Sequence, residues 1–417
     1  MEKPACPVTL ARVFRIYVRC IPFVAYVLLT LPCAAALAQP PAHAPSEADR
    51  ERLEALGYEP WVKDAEPATE TGVITHDRRR TAPGYLLFAN RGSCNAKLID
   101  NSGKVHHTWQ GPVQGFWSDV ELMPDGDLYV VGATDDEFAN QLTARYLRRL
   151  SWDSTVEWQS EFPAHHDIER VPGGKLLALS SVERFTDLHG PARAVIDDQV
   201  ILLDERGKTL EEHSLFDLFV GSPKAVKFGS YSRVERRNGR AVLDLFHANS
   251  VEWVRAGKRA GKHPIYRDGN ILVCLRHQNM VVVIDRKKRQ IVWSWGASEL
   301  QGPHSARMLA NGNVMVFDNG LRRRHSRILE IDPRGDRVVW RYEPNDAKQF
   351  FTPYGGSLQP LANGNVFLAE TRRGRMLEVD RQGQVVWAYV NPSEDLQQQR
   401  RATIHAAKRL APSYVAP

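Results

Sequence analysis

The stretch HSARMLANGNVMVF, residues 304–317, followed by ILEIDPRGDRVVWRY, residues 328–342, decides the fold. Its first part is an alternating polar and apolar run, an Asn-Gly turn and a second apolar run, the pattern of a β-hairpin. Its second part is another hairpin, marked by an Asp before the turn and a Trp near the end. Two hairpins in succession make one four-stranded sheet.

Outward from this unit the same form recurs. First hairpins read SDVELMPDGDLYVV from Ser118, HDIERVPGGKLLAL from His166, NSVEWV with DGNILVCL from Asn249, and GSLQPLANGNVFLA from Gly356. Second hairpins read KLIDNSGKVHHTW from Lys97, VILLDERGKTLEEHSL from Val200, VVVIDRKKRQIVWSW from Val281 and MLEVDRQGQVVWAY from Met376. A spacing of roughly 40 to 50 residues per unit is that of a β-propeller, in which each blade buries its faces against its neighbours. The hairpin from Lys97 is preceded by GYLLFANR from Gly84 but lacks an inner strand, and IHAAKRL, Ile404 to Leu410, supplies one from the far end of the chain. That closure removes an exposed edge and predicts an all-β, six-bladed β-propeller over residues 84–417. A seven- or eight-bladed ring would need a further blade between Phe185 and Val242, and that region reads better as insertions around the hairpin from Val200.

The 417 residues, 43% hydrophobic and 25% charged, have an ordinary globular balance. Residues 1–38 stand apart from it. Lys3, Arg12, Arg15 and Arg19 precede an apolar run from Ile21 to Ala38 that ends Ala36-Leu37-Ala38, the pattern of a signal peptide. Export to the periplasm is expected; if uncleaved, the run is just long enough to be an inner-membrane anchor, and only then is a membrane a partner. Residues 39–83, with a short helix expected over Ser46 to Leu56, read as an N-terminal extension or linker. The leader holds four basic residues and Glu2, which is +3 of the formal +6, so the remainder carries about +3. With charges of both signs interspersed, this excludes a nucleic-acid partner on composition. Outside the leader, Cys94 and Cys274 show no zinc spacing, and whether they form a disulfide is left open.

The inner strands align on the apolar residue before each turn: Met123, Val171, Val254, Leu309, Leu361 and Leu410. Five residues earlier stand Ser118, His166, Asn249, His304, Gly356 and His405. Ring symmetry points these positions at one axis, and three of the six are histidine. The next strand ends beside this level, which brings in Arg276, Asn319 and Thr371, and His247 joins from two residues before Asn249 on the same face. His165 should face away from His166 and be structural, and for His405 both a structural and a functional role stay open. His106, His107, His277 and His325 are expected on the surface or in loops.

Three imidazoles can hold zinc, but a guanidinium beside them repels a divalent cation. Arg, His and Asn around a concave site suit a tetrahedral oxyanion. One neutral histidine can then act as a nucleophile while others protonate the leaving oxygen. No metal and no cofactor is expected.

The segments HHDIERVPGGKLLAL, LFHANSVEW, LRHQNMVVVID, GPHSARMLANGNVMVFDNG and FLAETRRGRMLEVD, in that order, resemble the bacterial arylsulfotransferases that work without a nucleotide donor. The resemblance covers most of residues 84–392. It implies transfer of a sulfuryl group from a phenolic sulfate ester to a phenol acceptor, with His304 attacking sulfur to form a sulfohistidine. It further implies that His247, Arg276 and His166 hold the sulfuryl oxygens and that Asn249 and Thr371 complete the pocket, to which the strand alignment adds Asn319 and His405 as candidate substrate contacts. The partners are then these small molecules, and a homodimer is admitted as an assembly. Two departures stand out: no close cysteine pair makes a local disulfide, and the insertion between Phe185 and Val242 can reshape the mouth. Three rival readings are a quinone-dependent dehydrogenase, which needs eight blades and an acid-bound calcium, a non-enzymatic binding propeller, and a metal hydrolase, for which Arg276 is awkward.

Overall fold

The structure, a computed structural model, describes residues 70–413 except 91–93, 112–114, 135–141, 188–191, 230–232, 238–239, 347–348, 393 and 396–399. The leader, the helix expected over residues 46–56 and the extension up to residue 69 lie outside the described residues.

Six sheets form a six-bladed propeller. The innermost strands are Ile404–Leu410, Phe116–Leu122, Ala164–Val171, Ala248–Trp253, His304–Met308 and Ser357–Pro360, for blades one to six. In blade one, Leu410 pairs with Tyr85 and Ile404 with Asn90, so the last strand and the first hairpin share a sheet. The propeller begins earlier than residue 84. Gly72–His76 adds an antiparallel fifth strand outside Val385–Val390 of blade six, which covers an edge that would otherwise be open.

The middle strands explain their own sequences. Ile271–Leu275 and Met280–Asp285 are buried along their whole length, so ILVCL and MVVVID are apolar on both faces. Outer strands such as Arg337–Tyr342 alternate exposed with partly or fully covered positions. An apolar cluster fills each of the six blade interfaces; the one holding Val283, Val314 and Val316, for example, lies between blades four and five. The Asp of each second hairpin holds its turn: Asp380 Oδ1 accepts the N–H groups of Gln382 and Gln384 at 3.0 and 2.8 Å, and Asp204 does the same for Arg206 and Lys208. The closing Trp reaches the next blade. Trp340 Nε1 donates to Arg381 O, and Trp387 Nε1 donates to Asn101 O across the junction of blades six and one.

Blade three carries the insertion between Phe185 and Val242. Its second and third strands, Lys175–Thr186 and Arg193–Leu203, run past the start of the inner strand and pair to their ends. A helix, Leu215–Val220, capped by the Ser214 hydroxyl, follows the fourth strand. The hairpin of Arg233–Arg237 and Arg240–Asp244 then joins the projecting part of the sheet beside Val195 and Ile196. Cys94 and Cys274 are both buried, and neither forms a disulfide among the described residues.

A second set of bonds ties the blades at the channel. The residue after each ring position accepts the backbone N–H two residues past the ring position of the next blade. Asp119 holds Ile168, Asp167 holds Val251, Ser250 holds Ala306, Ser305 holds Leu358 and Ser357 holds Ala407, at 2.9 to 3.2 Å. Ala406 has no side-chain acceptor, and there the Lys408 ammonium donates to Asp119 and Glu121 instead, at 3.2 and 2.8 Å. Removing one hydroxyl leaves a buried N–H unpaired. Ser250→Ala and Ser357→Ala are each expected to lower unfolding free energy by about 1–3 kcal/mol, measured by urea denaturation; unchanged midpoints would refute the blade-to-blade role.

Candidate functional site

Ser118, His166, Asn249, His304, Gly356 and His405 line one cavity of about 220 Å³ along the channel. At Gly356, with φ of 96°, a Cβ would stand 3.0 Å from the Phe317 ring, so this blade contributes no side chain at this level. The strands are irregular at this level. Pairing slips between Trp117 and Asp119, between Ala248 and Ser250, and between His304 and Ala306. His166, His247 and Ser305 have φ of 60°, 47° and 46°. Bulges insert an unpaired residue and re-aim side chains, so a ring residue and its successor both reach the channel wall.

His304 is buried, and its Nδ1 faces two acceptors, Gly302 O at 3.1 Å and Asn319 Oδ1 at 2.8 Å. The Asn319 amide is itself oriented, since its Nδ2 donates to Thr352 O and Gly355 O. The His304 proton is therefore on Nδ1, and Nε2 keeps its lone pair. Burial, reinforced by the Arg276 charge, pushes the imidazole down to about 3. Burial likewise holds His247 far below the ordinary histidine value, against the pull of Asp244, and it does the same for His166, with the charges of His247 and His165 adding to it. The His166 and His247 rings stand 4.9 Å apart.

Asp244 organises the other side. Its Oδ2 accepts from His247 Nδ1 at 2.6 Å, and its main-chain oxygen accepts from His277 Nδ1 at 3.0 Å. Burial would raise the Asp244 carboxyl, but His277 and His247 outweigh it and hold it well below the usual carboxylate range. His277 Nε2 accepts in turn from the buried Arg276 NH1 at 3.0 Å. His277 lies in the turn between Ile271–Leu275 and Met280–Asp285, so it is a loop residue, but it is buried instead of on the surface and it bonds the guanidinium. Asp244, His247 and His277 bring three ligand atoms within 4.8 Å of one another, yet the donors do not suit a metal. A metal on His277 Nδ1 would displace its proton, leaving Nε2 as a donor facing the Arg276 donor.

Other expectations need revision. His247 precedes its strand and reaches the site through a left-handed backbone, not through strand alternation. His165 does not turn away: its Nδ1 lies 2.7 Å from His166 Nδ1. Asn319 and Thr371 are fully buried and act behind the pocket, Asn319 by holding His304 and Thr371 by accepting the Gly356 N–H at 2.7 Å. His405 lines the cavity, as does Asn249, whose Nδ2 donates to Pro303 O while its Oδ1 has no hydrogen-bond partner among the described residues. His106 bonds Asp100, His107 stacks on Trp152, and His325 bonds Glu343, all apart from this group.

Sequence reasoning missed Asp244 and Asp198 and set His165 and His277 aside. Asp244 precedes His247 by three residues in LDLFHANS, and that spacing was the available signal. It also missed a lower ring of Glu121, Glu169, Glu252, Arg307, Gln359 and Lys408, three residues past each ring position. Glu169 and Glu252 there accept the N–H groups of Trp253 and Met308, so they serve blade contacts. Burial, reinforced by Glu169, pushes Glu252 up to about 8.

No curated protein matches the chain. Among solved structures, a protein of unknown function from Bacteroides caccae overlays with a TM-score of 0.48 at 15% identity, covering 78% of this chain and 98% of that one. Virginiamycin B lyase from Staphylococcus aureus overlays at 0.41 and 10% identity, covering 78% and 89%. Likeness at this level carries no argument about activity. The profile of the family described as arylsulfotransferase (ASST) matches residues 143–392, more than half of the chain, and on that match the chain belongs to the arylsulfotransferase family.

Proposed function

We propose that the protein moves a sulfuryl group from a phenolic sulfate ester to a phenol through a sulfohistidine on His304. The observation that carries this reading is a buried, neutral imidazole whose Nδ1 is anchored by Asn319 and Gly302, with the buried Arg276 charge beside it. A neutral imidazole held in one tautomer presents Nε2 as a nucleophile without prior proton loss. Sulfuryl transfer, like phosphoryl transfer, spreads charge over peripheral oxygens, so a fixed guanidinium and good positioning supply most of the catalysis.

The hydrogen-bond pattern refines the roles implied by family resemblance. With Nδ1–H committed to Asp244, neutral His247 keeps its lone pair on Nε2. It can hold a sulfuryl oxygen only after gaining a proton, and otherwise it accepts one from a phenol. Arg276 is then the standing cationic donor for the sulfuryl oxygens. The unpartnered Asn249 Oδ1 suits an acceptor hydroxyl. Donor and acceptor phenols occupy the site in turn, and the export leader expected from residues 1–38 would place this reaction in the periplasm.

Incubation with 4-nitrophenyl sulfate and phenol tests the reading. The unaltered protein should release nitrophenol, form phenyl sulfate and carry sulfate on a protein histidine when phenol is omitted. His304→Ala should lose about three orders of magnitude or more in rate. Equal activity of the two proteins would show the nucleophile to be misassigned, and inactivity of both across several aryl sulfates would refute the reaction.

The pH profile gives a second test. An ordinary histidine titrates near ~6.5, whereas His304 is pushed down to about 3. Between these values the unfolded chain binds the proton and the folded one does not. The His304 contribution to stability is therefore complete above the unfolded value and lost as pH falls toward the folded one. The nucleophile stays neutral over the same interval, so kcat/KM for 4-nitrophenyl sulfate should hold its plateau from pH 7 down to about 5. An acid limb between about 6 and 7 would contradict the assignment.

A further inference from the structure

Behind His166 stand a second imidazole and a carboxylate. His165 Nδ1 lies 2.7 Å from His166 Nδ1, His165 Nε2 lies 3.3 Å from Asp198 Oδ1, and Asp198 Oδ2 accepts the Ala248 N–H at 2.7 Å. His165 and Asp198 are 5% and 2% exposed, so water does not screen the group. Two ring nitrogens at this separation must share one proton, because two lone pairs or two N–H groups would repel. The carboxylate decides which ring donates. The Asp198 carboxylate lies near His165 Nε2 without the alignment of a hydrogen bond, but its negative charge still favours a proton on that nitrogen, so neutral His165 offers the Nδ1 lone pair and His166 Nδ1 is the donor. His166 Nε2 is left as a base on the cavity wall.

Adjacent residues of a regular strand point to opposite faces, and these two rings meet only because the strand is broken. The register with the second strand slips between Ala178 and Leu179, opposite Ile168 and His165, and His166 takes a φ of 60°. Backbone in this region costs about 1–3 kcal/mol for a non-glycine residue and persists where its surroundings enforce it.

Resting on the sulfuryl-transfer reading, we propose that Asp198, His165 and His166 form a proton relay in which His166 touches the aryl oxygen and His165 and Asp198 are positioning residues that hold the proton. In the acceptor half-reaction the phenol oxygen bonds to sulfur while the bond from sulfur to His304 Nε2 breaks and its electron pair returns to that nitrogen. The phenol proton passes to His166 Nε2, the His166 Nδ1 proton crosses to His165 Nδ1, and Asp198 balances the charge then on His165. The donor half-reaction starts from the charged His165 that the acceptor step leaves, runs the chain in reverse and delivers that proton to the departing aryl oxygen. Over a full cycle no outside acid or base is consumed.

His165→Asn separates relay from support, because the amide oxygen can still accept from His166 Nδ1–H but cannot take up a proton. A nitrophenolate leaves readily without protonation, whereas an unsubstituted phenolate does not. In this variant, with no acceptor added, the single-turnover nitrophenol burst from 4-nitrophenyl sulfate should keep its rate within about threefold of the unaltered protein, while the phenol burst from phenyl sulfate slows by about 10²-fold. Asp198→Asn should show the same selectivity, and it carries the test if thermal melting shows that His165→Asn does not fold. Equal losses with both donors, or no loss with phenyl sulfate, would overturn the relay. Absence of nitrophenol release by the unaltered protein would instead overturn the sulfuryl-transfer reading, an outcome distinct from either.

Discussion

The inner ring of blade-to-blade hydrogen bonds is the constraint on which the rest of the molecule depends. Each buried backbone N–H at the channel must find an acceptor, and five of the six are met by an Asp or Ser one residue past the ring position of the preceding blade. Those bonds set the rise of each inner strand against the next. The sixth interface, between blades one and two, uses Lys408 with Asp119 and Glu121. Because every blade is indexed to its neighbour in this way, side chains from residues 140 positions apart, such as Asp167 and Arg307, come within 3.2 Å.

The same indexing requires bulges. For a ring residue to face the axis while its successor bonds the next blade, strict alternation must fail, and it fails at the level of Ser118, His166, Asn249 and Ser305. The chemistry sits on those irregularities. His304 precedes a left-handed serine, and His166 and His247 are themselves left-handed. Conformational cost and candidate site coincide here, as they do where surrounding structure is rigid enough to hold strain.

Burial then fixes charge. The imidazoles of His166, His247 and His304 are all driven toward neutrality, and the negative charge rests on Asp244. Each imidazole has a hydrogen-bond partner on Nδ1: Asn319 and Gly302 for His304, Asp244 for His247, His165 for His166. Nε2 is thus the nitrogen left for a ligand in every case. Such a site offers nitrogen lone pairs to a proton or a ligand, with the buried Arg276 guanidinium held by His277.

Much of this was legible in the sequence. Period-two alternation, Asn-Gly turns and Asp-turn-Trp hairpins are local, so the six repeats, the closing strand from Ile404 and the common level of His166, Asn249, His304 and His405 follow from spacing alone. Arg276 was legible as well, because antiparallel pairing places the end of one strand beside the start of another. What the sequence could not supply depends on broken regularity. His277 was placed in a loop, where it lies, but given no part beside Arg276, His165 was expected to face away and Thr371 to touch a ligand, since alternation and helical or strand period say nothing about a bulge or a left-handed residue. The partners Asp198 and Asp244 lie on the projecting sheet of blade three, whose pairing is set by contacts distant in sequence. Sequence by itself therefore determined which residue types meet at the channel, and only the tertiary structure decided their protonation, because a tautomer is chosen by the acceptor that packing places against it.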